Sequence, residues 1–202
     1  MTEEESEEWV RARFGLQADA LAAFAQMVVD ENARQNLIAP STVAQMWSRH
    51  LLDSAQLIAL APEKVGTWID VGPGAGFPGM VAALLLPGTS VLLIEPRRRR
   101  VEFLEVAARA LKLSNVRLEA TKVERAKPRT ADVISARAVA TSSALIEATQ
   151  HLRTVATRYI LPRGRSGHAE VESLRGRWQG LFHVEQSLTD PESTIIVASG
   201  IA

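Results

Sequence analysis

The chain has 202 residues, 47% hydrophobic and 23% charged, with 23 basic and 23 acidic side chains and no cysteine. That length and apolar content fit one globular domain with a substantial core, and the richest apolar run, Met80 to Leu86, stops at Pro87-Gly88, too short to span a membrane. The lack of cysteine excludes disulfides, thiolate metal sites and a cysteine nucleophile, and with an acidic amino terminus unlike a signal peptide the chain reads as cytosolic.

The neutral balance hides an asymmetry. Glu3, Glu4, Glu5, Glu7 and Glu8 open the chain, so residues 9–202 carry 23 basic against 18 acidic groups. Nineteen of the basic residues are arginine, and Arg97, Arg98, Arg99 and Arg100 are consecutive. The planar guanidinium fork suits phosphate and base recognition, which makes a nucleic-acid partner plausible. Consecutive helical residues point about 100° apart, however, so the four arginines cannot form one flat patch, and a solvated first turn is the plain alternative.

Residues 1–61 read as a helical extension and residues 62–202 as an alternation of strands and helices, one compact unit overall. Leu16, Leu21, Phe24 and Val28 make an apolar stripe over residues 16–32. A loop at 36–40 follows, and Ser41 is a suitable N-cap for a helix running to about Leu60, closed by Pro62. Its inner side takes Val43, Met46, Trp47, Leu51, Ser54 and Leu57 or Ile58.

Strands are predicted at 67–71, 90–94, 115–120, 132–135, 157–161, 181–186 and 194–198. Helices at 77–86, 97–113 and 142–153 separate most of the first five, which implies right-handed crossovers and a parallel sheet. The last two strands are joined without a comparable helix, as in a terminal antiparallel hairpin.

The most informative run is Thr67-Trp68-Ile69-Asp70-Val71-Gly72-Pro73-Gly74-Ala75-Gly76-Phe77-Pro78-Gly79. An apolar strand carrying an acid enters a glycine-dense turn and then an apolar helix, the layout of a nucleotide cradle. Gly72, Gly74 and Gly76 permit positive φ and close approach of main chain to a ligand. Asp70 either fixes the loop or meets a cationic ligand. A dinucleotide loop needs G-x-G-x-x-G, but the sixth position counted from Gly72 is Phe77. G-x-G-x-G behind an acidic strand is the pattern expected for S-adenosylmethionine, which carries a sulfonium and no phosphate. Glu95 ends the strand Val91-Leu92-Leu93-Ile94, 23 residues beyond Gly72, where an acid accepting ribose hydroxyls is expected; a salt bridge to the following arginines is the alternative.

Asn36-Leu37, Arg49-His50-Leu51-Leu52-Asp53-Ser54, the loop from Asp70 to Gly79, Phe103-Leu104 and Ala136-Arg137-Ala138-Val139-Ala140 stand in collinear order between residues 36 and 164. In this combination the chain resembles the RsmG, or GidB, family of 16S ribosomal RNA guanine-N7 methyltransferases. The resemblance implies a class I S-adenosylmethionine-dependent methyltransferase fold: α/β, Rossmann-like, with a mostly parallel seven-stranded sheet, a terminal antiparallel hairpin and an N-terminal helical extension. It implies S-adenosylmethionine as cofactor and, as acceptor, a guanine in the decoding-region (530 loop) hairpin of 16S RNA, presented as RNA, small subunit or precursor particle. Separately from the resemblance, a monomer is expected.

Carried over residue by residue, the family's cofactor contacts fall on Gly72, Phe77, Val123, Glu124 and Arg137. Asp70, Gly74 and Glu95 join them from the loop reading. Arg137 would pair with the methionine carboxylate or steer RNA, a salt bridge to Asp70 or Asp132 being its structural alternative. Three departures stand out: Pro73 in place of a small hydroxyl residue, Val139 where many members have phenylalanine, and Leu161-Pro162-Arg163-Gly164 where many have a lysine-glycine pair.

Guanine N7 already carries an in-plane lone pair, so no general base and no catalytic side chain are expected, and no metal. Arg49, His50 and Asp53 form a further constellation. On an α-helix Asp53 would orient either neighbour at i,i+4 or i,i+3, either docking the extension on the sheet or touching substrate. Trp9, Trp47, Trp68 and Trp178 are read as packing. A dinucleotide-dependent oxidoreductase and a non-catalytic RNA-binding module are the two rival classes.

Overall fold

A computed structural model describes residues 1–137 and 139–202; Ala138, inside the Ala136 to Ala140 motif, lies outside the described residues. Helices α1 (Glu3–Phe14) and α2 (Gln17–Gln35) lead into a mixed helical segment. The strands are β1 (Thr67–Val71), β2 (Ser90–Ile94), β3 (Val116–Glu119), β4 (Val133–Ser135), β5 (Arg158–Arg163), β6 (Leu181–Gln186) and β7 (Thr194–Ser199). They form one sheet in the order β3-β2-β1-β4-β5-β7-β6. The first five are parallel, and β7 runs antiparallel to both β5 and β6. The seven strands and the terminal hairpin therefore stand where the sequence puts them.

Apolar strand residues alternate between two cores. Trp68, Val91 and Leu93 face one, with Leu21, Phe24, Leu51 and α4 (Gly79–Leu85); Ile69, Val71, Leu92 and Ile94 face the other, with α6 (Ser142–Ala148) and α7 (Gly167–Arg175). All seven residues of α4 are buried. A helix apolar on every side needs cover on every side, and besides the sheet both α2 and the segment after Leu52 pack on it; just ahead of α4, Phe24 of α2 meets Phe77 edge-on with ring centroids 5.5 Å apart. Helix α5 (Arg98–Ala110) completes that layer through Phe103, Leu104, Ala107 and Ala108.

The structure corrects four expectations. Leu16, placed on the apolar stripe of residues 16–32, is 87% exposed just ahead of α2, and the stripe begins at Ala18 and Leu21. No single helix spans residues 41–60. A 3-10 stretch (Pro40–Gln45), a π-helical turn (Trp47–Leu52), one α turn, α3 (Asp53–Ala55), and a second 3-10 stretch (Gln56–Leu60) follow one another, and Ser41 caps nothing. Local hydroxyls redirect the backbone: Thr42 Oγ1 donates to the Ala39 carbonyl at 2.9 Å and Ser54 Oγ to the His50 carbonyl at 2.6 Å. The helix expected over 142–153 stops at Ala148, where Thr149 Oγ1 turns back to the Leu145 carbonyl at 2.7 Å, before a 3-10 turn (Gln150–Leu152). Helix α7 between β5 and β6 was not anticipated; only Gly167, Val171 and Leu174 of it are buried, too sparse an apolar stripe to read from the sequence.

Candidate functional site

The loop after β1 lies at the carboxyl edge of the parallel strands, where open α/β sheets bind ligands. Gly72 (φ +66°) donates its amide to the Ile94 carbonyl at 2.8 Å, which closes the β1 end against β2. A Cβ on Gly72 would stand 2.7 Å from Val139, and one on Gly74 (φ +61°) 3.3 Å from the Arg100 guanidinium. Gly76 serves packing: its Cβ would meet Phe24 at 2.7 Å and Met80 at 2.8 Å.

Two carboxylates shape this loop. Asp70 has no exposure; it accepts from the Gly79 amide and from Ser135 Oγ, both at 2.7 Å, and Ser135 in turn accepts from Trp68 Nε1 at 2.8 Å. Of the two roles raised for Asp70, the geometry carries loop fixing. Burial pushes its carboxyl up to about 7 despite those bonds. Glu95, 3% exposed, accepts from the Gly74 amide at 3.1 Å and the Arg97 amide at 2.9 Å, with the Arg100 guanidinium 3.9 Å away. It clamps the glycine loop to the start of α5, and its remaining lone pairs border the cleft.

That cleft has a volume of about 440 Å³ and is walled by the glycine loop, Leu37, Phe77, Glu95, Arg97 and Arg100. A second cavity of about 570 Å³ lies beside it, under Arg49, Asp53, Thr141, Arg163 and Thr194. Arg137 and Val139 line both.

Arg137 follows β4 and reaches back to the mixed helical segment. Its Nη1 donates to the Arg49 carbonyl at 3.3 Å and to Asp53 Oδ2 at 3.4 Å, and its Nη2 lies 3.2 Å from His50 Nδ1. A guanidinium only donates. His50 Nδ1 must therefore be the acceptor, which puts the ring proton on Nε2, facing Thr42 Oγ1 at 2.8 Å. This neutral tautomer agrees with a His50 pKa pushed down to about 3 by burial first, then by Arg137 and Arg49. His50 stacks on Phe77 at 5.0 Å and 25°, and the Arg137 guanidinium lies 5.2 Å from the Phe77 centroid.

Arg137 pairs with Asp53, not with Asp70 or Asp132; Asp132 instead takes the Gly66 and Thr67 amides at 2.8 Å. Asp53 orients neither helical neighbour, because π winding takes residues off the i,i+4 register. Its Oδ1 accepts from Gln56 and Thr189 at 3.1 Å, while Arg49 pairs with Asp190 at 3.1 Å. The constellation thus both docks the extension on the sheet and seats Arg137.

Gly72, Gly74, Phe77, Glu95 and Arg137 meet at one cleft. Val123 and Glu124 stand apart, on a 3-10 turn (Val123–Arg125) beyond β3, and do not line it. Arg163 is turned inward, held by Glu170 and Ser142 at 3.2 Å and by the Ala140 carbonyl at 3.1 Å. The arginine run fans out: Arg98 meets Glu102, Arg99 the Arg34 carbonyl and Arg100 Glu95. Leu37 and the Arg100 wall were not anticipated as cleft residues, although both lie in segments already singled out. Trp68 is core; the Arg13 guanidinium lies over the Trp9 ring at 5.4 Å and that of Arg153 over the Trp178 ring at 5.8 Å.

A sheet of this order with a glycine loop after its first strand defines a class I methyltransferase fold, and solved structures agree. An S-adenosylmethionine-dependent methyltransferase from Aquifex aeolicus superposes with a TM-score of 0.62 over 87% of this chain and 97% of its own, at 14% identity. Aeropyrum pernix fibrillarin with bound S-adenosylmethionine does so with a TM-score of 0.58 over 75% of each chain, at 16% identity. Sequence goes further. Residues 17–193 match the GidB family model, rRNA small subunit methyltransferase G. Ribosomal RNA small subunit methyltransferase G of Erythrobacter litoralis is 41% identical over 98% of both chains, and that of Rhizorhabdus wittichii 44% over all of this chain and 94% of its own. The chain belongs to the rRNA small subunit methyltransferase G family.

Proposed function

We propose that the protein transfers the methyl group of S-adenosylmethionine to N7 of a guanine in the 530-loop hairpin of 16S ribosomal RNA. The observation that carries this reading is the pair of cavities meeting at Arg137, one walled by the glycine loop and Glu95, the other open beside it. Its volume lies within the usual range for small-molecule sites, and its glycines stand where a Cβ would crowd it. The donor set suits an uncharged nucleoside joined to an amino acid: a buried carboxylate for ribose hydroxyls, a guanidinium for the methionine carboxylate, and no phosphate-binding turn of dinucleotide spacing. Gly72, Gly74, Phe77, Glu95 and Arg137 would hold the donor and Asp70 would act through the loop; Val123 and Glu124, which do not line the cleft, are not part of that set. When bound, S-adenosylmethionine supplies an electrophilic methyl on a sulfonium.

The chain's own residues would then orient two reactants. Arg137 would stand between them, pinned by neutral His50 and Asp53, and Arg49 would line the acceptor side. Proximity and alignment are worth on the order of 7 to 11 kcal/mol at best, enough for a nucleophile that needs no deprotonation. Exposed arginines would meet RNA phosphates: Arg97, which lines the cleft, and Arg98 and Arg99 on the first turn of α5 beyond it. The extension over residues 1–61 and the sheet would act as one unit, as a monomer in the cytoplasm. No helix among the described residues is long and apolar enough to cross a membrane.

The test uses labelled S-adenosylmethionine with small subunits and with purified 16S RNA from cells lacking the activity. One labelled guanine in the decoding hairpin, cleavable as 7-methylguanosine, is the expected product. Titration with NAD addresses the oxidoreductase alternative: binding of NAD in preference to S-adenosylmethionine would overturn the reading, and RNA binding without transfer would leave a non-catalytic module.

A further inference from the structure

We propose that Glu3, on the N-terminal helix α1, is a positioning residue for Arg137 and acts through the π-helical turn. The inference rests on the reading of Arg137 as the residue between the two reactants. Glu3 lies before the family-matched residues 17–193, far from the glycine loop in sequence. Its carboxylate nevertheless receives two successive amides of the segment that seats Arg137: Trp47 N donates to Oε2 and Ser48 N to Oε1, both at 2.8 Å.

These amides open the π-helical turn. Charge-assisted bonds to both oxygens fix the direction in which the turn starts, as no single-acceptor cap would. The next two residues supply atoms that hold the guanidinium: the Arg49 carbonyl takes Nη1 and His50 Nδ1 takes Nη2. A change in the opening of the turn moves both acceptors together, and the His50 ring also stacks on Phe77 at the cleft wall.

Glu3 is itself held in place. Helix α1 begins with a reciprocal cap, Glu5 N donating to Thr2 Oγ1 at 3.2 Å and Thr2 N to Glu5 Oε2 at 2.8 Å. Ser6 and Val10 are fully buried, and Arg11 lies over the Trp47 ring at 5.7 Å while pairing with Asp19 of α2 at 2.7 Å. Docking of α1 therefore has supports besides Glu3. A carboxylate aimed at the amides of Trp47 and Ser48 adds control of the turn.

The experiment compares the full-length wild type with Glu3→Gln, Arg137→Lys, the double variant and Glu4→Gln, an exposed neighbour as control. Glutamine keeps the length of the side chain but has one acceptor oxygen for two amides. Methyl transfer to small subunits, unfolding temperature and amide hydrogen exchange over residues 47–50 are measured for each, at a temperature where all are folded. Glu3→Gln is expected to speed exchange at Trp47 and Ser48 and to lower kcat/KM at least fivefold. In the Arg137→Lys background the same change is expected to cost less than twofold, because both act through one guanidinium. Equal losses in the two backgrounds, or a change in unfolding temperature alone, would overturn the proposal. Absence of transfer by the wild type would sink the functional reading instead. The coupling is then read from S-adenosylhomocysteine affinity, and unchanged exchange at residues 47–50 in Glu3→Gln overturns it.

Discussion

His50 offers Arg137 a lone pair only while its ring is neutral. Its folded pKa lies near 3 against an ordinary 6.5, so the unfolded chain binds more protons, and its stabilising contribution is present above about pH 6.5 and lost as pH falls towards 3. Asp70 runs the other way. Its pKa is raised from 3.8 to about 7, so its contribution is present below about pH 4 and lost as pH rises through 7. The stability difference between wild type and Asp70→Asn is therefore expected to shrink from pH 4 to 8, and that between wild type and His50→Asn to grow from pH 4 to 7. Denaturant unfolding at several pH values checks both, and flat differences would contradict the assignment. Asn also keeps an acceptor near the Nδ1 position, so His50→Asn is expected to retain several times more methyl transfer than His50→Gln. At Gly72, an alanine would hold a φ of +66° with its Cβ 2.7 Å from Val139. The strain costs about 1–2 kcal/mol, and affinity for S-adenosylmethionine measured by titration is expected to fall about tenfold or more.

The elements differ in how much of them the sequence reveals. Strands β1 and β2 are legible to the residue because unbroken buried runs such as Trp68-Ile69-Asp70-Val71 and Val91-Leu92-Leu93-Ile94 have no other place to go. The mixed helical segment is not legible, since its winding depends on bonds from Glu3, Thr42 and Ser54 that no periodicity records. The same is true of the partner of Arg137: the sequence marks Arg137 and Asp53 separately, but only the tertiary fold, which brings the mixed helical segment to the residues after β4, joins them. Arg163 shows the converse: its motif position says nothing of burial, and the structure makes it a buried strut between β5, α6 and α7. Truncation to methionine would leave the Ala140 carbonyl without its donor and Glu170 without its cation, while Ser142 and Ser166 still donate to that carboxylate. A loss of about 1–3 kcal/mol is expected in denaturant unfolding, from the unsatisfied Ala140 carbonyl and the lost charged hydrogen bonds; a loss below about 0.5 kcal/mol would show that the strut holds nothing.

Over the whole molecule, the N-terminal helices roof the buried helix α4, and α4 presses the glycine loop against the carboxyl ends of β1 and β2. The cradle thus depends on two separate parts of the helical extension, Phe24 of α2 on Gly76 and His50 of the π-helical turn on Phe77. Its position, glycines and two acids are legible from residues 67–95, because turn chemistry and strand ends are local. The two-cavity layout is not, because it arises where β4, β7 and the mixed segment converge. Arg49, Arg97 and Arg100 at these cavities also predict a salt-dependent acceptor affinity: KM for RNA should rise steeply between 50 and 200 mM salt, by roughly tenfold or more for several phosphate contacts. The division of labour between the cavities is tested most directly by a crystal structure with S-adenosylhomocysteine. The ligand is expected against Gly72, Gly74 and Glu95, with its sulfur end towards Arg137 and the second cavity open beside it. A ligand seated under Arg49, Thr141 and Arg163 instead would contradict the account.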